Sequence, residues 1–338
     1  MRRRLYVRGW KGETGVERNA RIFVAGGSTL IGAALLRQLE AQSFSHVVGR
    51  LTDEPDYRSA DEVAAFFHSE RPEYVFLAAG QSGGIRANES LPADLMLDNL
   101  LAECHVIEAA HRFGVTKLLY LASSCCYPKH CPQPMRVESL MSGPLEPTNE
   151  AYATAKIAGI RLCQAYARQH GDNFICGIPA NAFGIDDDFS AEGGHVIPAL
   201  IARLHQAKVE GQPSVTVWGT GAPRREFIFA DDLADACLFV MKHNDDARTS
   251  INLGSGGDLS IGETAELIRE VVGYTGELMF DRDKPDGMPL KSLDSSALLE
   301  MGWRAATPIA TAVEKTYQAY LQLLDESHRE RIHVRAAV

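Results

Sequence analysis

Tyr152 and Lys156 stand four residues apart in Asn149-Glu150-Ala151-Tyr152-Ala153-Thr154-Ala155-Lys156. On a helix both side chains point the same way, one turn apart. Upstream, the apolar run Leu119-Tyr120-Leu121-Ala122 ends in Ser123-Ser124-Cys125-Cys126, which reads as a strand with a serine–cysteine cluster at its end. A serine at a strand end, facing a Tyr-x-x-x-Lys helix, can run proton transfer at a carbonyl. The lysine cation lowers the tyrosine pKa, and the serine hydroxyl holds the substrate oxygen. Tyr152 and Lys156 alone also fit a plain helix face; Ser123 upstream favours the chemical reading.

Such groups need a frame. Arg21-Ile22-Phe23-Val24-Ala25 reads as a buried strand, Gly26-Gly27-Ser28-Thr29-Leu30-Ile31-Gly32 as a glycine turn, and Ala33–Glu40 as a helix. Strand, glycine turn and helix form the context of a dinucleotide site, where N–H groups at a helix N-terminus approach a pyrophosphate. Further strands are expected at 46–50, 74–78, 117–122 and 174–179. Helices are expected over 61–69, 95–113 and 151–169. This alternation predicts an α/β fold, a Rossmann-type doubly wound parallel sheet with its ligand crevice at the carboxyl ends of the strands.

Arg50 closes the second strand and suits a ribose 2′-phosphate, hence NADP; a solvated surface arginine is the alternative, and Asp53 and Glu54 follow it. Beyond residue 182 the pattern breaks. A polar loop at 184–194 precedes a helix from Val196 to Gln206. Strands are expected at 215–218, 226–230 and 251–254, Asp231-Asp232 as a cap, and a capped helix from Ser260 to Val272. The expected division is an N-terminal extension over 1–20 and a cofactor domain over 21–182, with 226–258 returning to it. A smaller, partly discontinuous α/β substrate lobe takes 183–225 and 259–330.

The 338 residues carry 34 basic and 44 acidic side chains, a net charge of −10, which disfavours nucleic-acid binding. Seven scattered cysteines without a Cys-x-x-Cys pair argue against a zinc site and a disulfide framework and point to a reduced, cytoplasmic setting. No apolar run follows Met1-Arg2-Arg3-Arg4-Leu5, so neither a signal peptide nor a membrane partner is expected.

Tyr-x-x-x-Lys, the upstream serine and the glycine turn resemble the extended short-chain dehydrogenase/reductase family. Further segments narrow this: Ser123-Ser124-Cys125, Pro147-Thr148-Asn149-Glu150, Ala155-Lys156-Ile157-Ala158-Gly159-Ile160, His195-Val196-Ile197-Pro198-Ala199-Leu200, Arg225-Glu226-Phe227 and Lys284-Pro285-Asp286-Gly287. From about residue 21 to about residue 323 the chain resembles the GDP-L-fucose synthase branch, and the joint presence of Cys125 and His195 makes the likeness specific.

The resemblance implies conversion of GDP-4-keto-6-deoxy-D-mannose to GDP-L-fucose, by epimerisation at C3 and C5 and then NADPH-dependent reduction at C4. It assigns Cys125 as base and His195 as acid. Tyr152 becomes the proton donor to the C4 oxygen, with Lys156 depressing its pKa and orienting the nicotinamide ribose, and Ser123 binds the carbonyl. It implies cofactor contacts at Gly26, Gly27, Ser28, Thr29, Leu30, Ile31, Gly32, Arg50 and Asp56. Others follow at Leu121, Ala122, Ser123, Ser124, Lys156, Pro179, Ala180, Asn181, Ala182 and His195. GDP-sugar contacts fall on Arg203, Trp218, Arg225, Asp286 and Lys291, with Trp218 either against the nucleotide or filling the lobe's core; no metal is implied. Members often pair through two long helices, here about 93–113 and 151–169, so a homodimer is expected.

Three positions depart from the family pattern: Thr29 replaces its middle glycine, while Ser28 and Thr52 stand where arginines are usual. Thr29 restricts the backbone and brings a side chain toward the phosphates, or donates a hydroxyl hydrogen bond. Arg50 is then the remaining 2′-phosphate candidate. Two alternatives accompany the main reading: a related GDP-deoxysugar epimerase-reductase, as in colitose formation, and a catalytically silent cofactor sensor.

Overall fold

The computed structural model describes residues 16–50, 53–190, 194–284 and 286–336. Residues 1–15 of the expected extension, Thr52, 191–193 of the polar loop and Pro285 lie outside the described residues.

The first half alternates as β1 (Arg21–Ala25), α1 (Leu30–Ala41), β2 (His46–Val48), α2 (Ala60–Glu70), β3 (Tyr74–Leu77), α3 (Ile85–Ser90), α4 (Pro92–Arg112), β4 (Lys117–Leu121), α5 (Glu150–His170) and β5 (Phe174–Pro179). Then come β6 (Asn181–Phe183), α6 (Val196–Glu210), β7 (Ser214–Trp218), β8 (Arg224–Phe229), α7 (Ala230–His243), β9 (Ile251–Leu253) and β10 (Asp258–Ser260). The chain ends with α8 (Ile261–Val272), β11 (Glu277–Asp281), β12 (Leu290–Lys291), α9 (Ser296–Glu300) and α10 (Ile309–Ala336).

A six-stranded sheet runs in the order β2-β1-β3-β4-β5-β9, every neighbouring pair parallel. Every residue of β4 and β5 is buried, as a strand covered by helices on both faces must be. Phe23 of β1 packs edge-on against Phe67 of α2, their ring centroids 5.7 Å apart. Burying each such ring contributes roughly 1.5–3 kcal/mol. The Rossmann-type expectation is met.

The later elements build a second core around α6, α8, α10, β7 and β8. β8 pairs with β6, β10 and β12, and β7 pairs with β11. Strand β8 was expected to travel with the segment that returns to the large sheet. It pairs in the small sheet instead, although its Ile228 already packs on the large core, and from Ala230 onward the chain returns to that core. Leu293, Leu298 and Trp303 also rejoin that core, inside a stretch expected to belong wholly to the second lobe.

Asp231 and Asp232 do not cap α7. Phe229 holds the N-cap position, while Asp231 pairs with Arg37 at 2.6 Å and Asp232 accepts from the hydroxyl of Thr307 at 2.8 Å. Ser260 does cap α8, in a reciprocal box with Glu263.

Candidate active site

The glycine turn is shaped by close approach. Gly26 has φ +89°, and a Cβ there would lie 2.5 Å from the Ala79 backbone; at Gly32 it would strike the Gly26 carbonyl. Thr29 is the N-cap of α1. Its hydroxyl accepts from Gly32 N–H at 3.1 Å and donates to the Gly26 carbonyl at 2.7 Å. The replaced glycine therefore ties the turn to itself, rather than reaching outward with its hydroxyl. The first-turn N–H groups of Leu30 and Ile31 have no intrahelical acceptors, so the turn at the end of β1 fits a pyrophosphate.

At the adenosine end, Glu54 accepts from Gly26 N–H at 2.6 Å, Gly27 N–H at 2.8 Å and the Tyr57 hydroxyl at 2.6 Å, and Ser28 donates to its other oxygen. Arg50 lies beyond the end of β2, is 60% exposed and comes within 3.7 Å of Glu40. Asp56 accepts the Arg58 N–H at 2.9 Å. Pro179, Ala180, Asn181 and Ala182 join β5 to β6, beside the ends of β4 and β9. Asn181 is fixed by its amide on the Glu226 carbonyl at 2.9 Å.

Leu121 closes β4, Ala122 continues it through an N–H on the Gly177 carbonyl, and Ser123 and Ser124 open a 3₁₀ turn. Ser123 caps that turn by accepting the Cys125 N–H at 3.2 Å. The phenol of Tyr152, which α5 presents from the other side, faces the same hydroxyl. The Tyr152 pKa lies above the ordinary phenol value: burial raises it first, the nearby sulfurs add to the rise, and the Ser123 hydroxyl opposes it. Lys156 was expected to lower this pKa. Its ammonium sits 3.0 Å from Glu103 of α4, and both side chains are buried. Glu103 also accepts the Tyr120 hydroxyl at 2.6 Å. A carboxylate so close neutralises much of the lysine's field, and the phenol stays protonated.

Cys125 is half-buried at the cleft wall. Lys291 Nζ and Asn149 Nδ2 each lie 3.3 Å from its sulfur. Burial pushes the Cys125 thiol up, but Lys291, the Ser123 hydroxyl and Arg225 outweigh it, and the net result lies below the ordinary thiol value. Adjacent Cys126 is fully buried with its sulfur toward the Ala153 carbonyl, and is pushed up to about 12. His195 is the N-cap residue of α6 and keeps contact with solvent. Partial burial and the Lys291 charge hold its imidazolium below the ordinary histidine value, against the pull of Asp188.

From the second lobe, β8 and β12 bring Arg225 and Lys291 toward Cys125, while β7 lies in a separate pair with β11. Trp218 is half-exposed at the end of β7, with the Lys284 ammonium 5.9 Å from its ring centroid, so it does not fill the lobe's core. Arg203 donates to the Thr216 carbonyl, and Arg225 to the Met288 carbonyl. Asp286 accepts from the Thr220 N–H at 2.8 Å and its hydroxyl at 2.7 Å. Lys291 pairs with Arg225 across β12 and β8, and its ammonium reaches the Cys125 sulfur. Among the described residues no cluster of His, Cys, Asp and Glu suits a metal ion, and no helix is long and apolar enough to cross a membrane.

Residues 22–254 match the NAD dependent epimerase/dehydratase family. The chain is 49% identical over 307 residues to "Probable GDP-L-fucose synthase 1" of Oryza sativa subsp. japonica, covering 90% of this chain and 93% of that protein. It is 44% identical over 313 residues to the GDP-L-fucose synthase of Escherichia coli strain K12, covering 90% and 98%. The chain belongs to the NAD dependent epimerase/dehydratase family, on its GDP-L-fucose synthase branch. The structure of a GDP-L-fucose synthetase from Naegleria fowleri bound to NADP superposes with a TM-score of 0.85 at 29% identity, covering 94% of this chain and 98% of that one.

For this family member, sequence reasoning missed Glu54, Glu103 and the cleft role of Asn149. Asn149 stood in a quoted motif. Glu103 carried a weaker signal, as an acid on the buried face of a long amphipathic helix.

Proposed function

We propose that this protein converts GDP-4-keto-6-deoxy-D-mannose to GDP-L-fucose in one cleft, by epimerisation at C3 and C5 followed by reduction at C4. The observation that carries the reading is the Cys125 sulfur, with Lys291 Nζ and Asn149 Nδ2 each 3.3 Å away, set beside Ser123 and the phenol of Tyr152 at the end of β4. In each epimerisation Cys125 as thiolate takes a proton alpha to the C4 ketone. The C–H bond breaks, an S–H bond forms, and the electron pair moves to the ketone oxygen as an enolate. His195 as imidazolium returns a proton to the opposite face of that carbon.

The site fits NADP through the glycine turn, where Gly26, Gly27 and Gly32 allow close approach and the Leu30 and Ile31 N–H groups face the phosphates; NADPH would supply a hydride for C4. Tyr152 gives its proton to the C4 oxygen, Ser123 holds that oxygen, and Lys156 orients the nicotinamide ribose. Arg203, Arg225 and Asp286 line the wall for the GDP moiety, where arginines suit a diphosphate through paired, charge-assisted bonds. The protein works in the cytoplasm as a homodimer paired through α4 and α5; Leu97, 47% exposed on α4, supports that pairing. The large-sheet domain holds the cofactor and the second lobe the sugar nucleotide.

The test is incubation with GDP-4-keto-6-deoxy-D-mannose and each nicotinamide cofactor, with products read by NMR. The expected product is GDP-L-fucose, with loss of NADPH absorbance. No absorbance loss with NADPH or NADH favours the silent sensor. A second expectation concerns Arg50, an exposed cation just beyond the end of β2. Arg50→Asp should raise the Michaelis constant for NADPH several-fold more than that for NADH. A single mobile charge near a phosphate is worth roughly 1 kcal/mol, about fivefold. Equal effects on the two cofactors would return Arg50 to the solvated surface.

A further inference from the structure

We infer that Lys291 acts through the epimerisation pair, holding Cys125 as thiolate and keeping His195 ready to give its proton away, rather than serving mainly as a contact to the sugar nucleotide. The inference rests on the proposed function and deepens it.

The geometry begins with how β12 is held. Lys291 pairs in parallel with Arg225 of β8. On its far side the chain is pinned beside the Cys125 loop: Met135 N–H donates to the Ser292 carbonyl at 2.8 Å, and Asp294 N–H to the Met135 carbonyl at 2.9 Å. Leu293 N–H donates to buried Glu226 at 2.6 Å. The backbone on either side of Lys291 is thus fixed, and the ammonium rests 3.3 Å from the sulfur. That distance suits a charge-assisted N–H···S⁻ bond.

Every group facing the sulfur fits this assignment. Ser123 and Cys126 stand on its own turn, Asn149 and Tyr152 come from the start of α5, Arg225 from β8 and Lys291 from β12. Two are cations, one is an amide donor, and neither neighbouring acid proton is ionised near neutrality. His195, at the start of α6, feels the charge of Lys291 and, oppositely, that of Asp188. One positive charge thus acts on both partners. It favours loss of the proton from sulfur, and it makes the imidazolium a stronger acid.

This matters for a reaction performed twice. After one carbon is epimerised, sulfur carries the abstracted proton and the imidazole has lost its own. The proton must leave sulfur and one must return to the ring before the second carbon can react. Lys291 drives the first half of that reset.

The experiment has a readout that needs no substrate. Cys125 alkylation by iodoacetamide is followed across pH in the resting protein, by mass spectrometry of its peptide, for wild type, Lys291→Gln and Lys291→Arg. An opposite charge at this range moves a pKa by roughly 1–3 units. The inflection should therefore rise by about that amount in Lys291→Gln and stay near wild type in Lys291→Arg. An inflection unmoved in the glutamine variant overturns the inference, whether or not the protein makes GDP-L-fucose. A second measurement follows solvent exchange of the C3 and C5 protons against pH, which should give a bell. Both limbs should move up in Lys291→Gln, because removing a cation raises the thiol and the imidazolium together. A raised Michaelis constant for the GDP-sugar with both limbs in place would make Lys291 a substrate contact and sink the proposal.

Discussion

Cys125→Ser is expected to slow exchange of the C3 and C5 protons with heavy water by about 10²–10⁴-fold, the usual worth of a positioned general base. The reason is in the acid being replaced. A thiol beside Lys291 and Arg225 ionises below its ordinary value, so more of it is thiolate at a given pH than in a free cysteine. A serine hydroxyl in the same place starts many units higher, and the same two cations cannot bring it into range. The substitution removes one polarisable atom and leaves Ser123, Tyr152 and the glycine turn untouched, so reduction of an already epimerised ketone should persist. Exchange measured by NMR decides the matter. Unchanged exchange in the serine variant would strip Cys125 of its role as base.

Tyr152→Phe should do the converse. Loss of the phenol proton is expected to lower C4 reduction by about 10²–10⁴-fold while leaving proton exchange within a few-fold of wild type. The phenol lies above its ordinary pKa because of burial and the neighbouring sulfurs. It therefore keeps its proton between about pH 6 and pH 9 and serves as donor throughout. The pH dependence of reduction in that window should come from other groups. NADPH absorbance and proton exchange, followed on the same sample, separate the two chemistries. A parallel collapse of both rates would deny that phenol and thiol have distinct tasks.

The large sheet was legible because its strands are short, apolar and separated by helices of the right period. β1, β4 and β5 are buried on both faces, and buried parallel strands announce themselves by unbroken hydrophobic runs. The second lobe was harder. β6, β10 and β12 are two or three residues long, and each finds its partner, β8, far along the chain. So short a run carries no periodicity.

The candidate site divides in the same way. Ser123, Tyr152 and Lys156 lie within one strand–helix unit, and their proximity followed from local pattern. Lys291 and Cys125 are 166 residues apart, and no spacing rule joins them. The expected effect of Lys156 on Tyr152 failed for a related reason. Helical spacing shows that the two side chains share a face, but not that α4 brings Glu103 against the ammonium. Thr29 shows the opposite case. A departure from the glycine pattern became intelligible once its hydroxyl was seen closing the helix start.

One strand has a wider consequence. Along β8, Ile228 packs into the interior of the large sheet, while Phe227 and Phe229 on either side pack into the interior of the small one. A peptide whose alternate side chains are claimed by different interiors cannot leave one without disturbing the other. The two lobes are thus coupled through this one strand, and a single melting transition in calorimetry is the expected result.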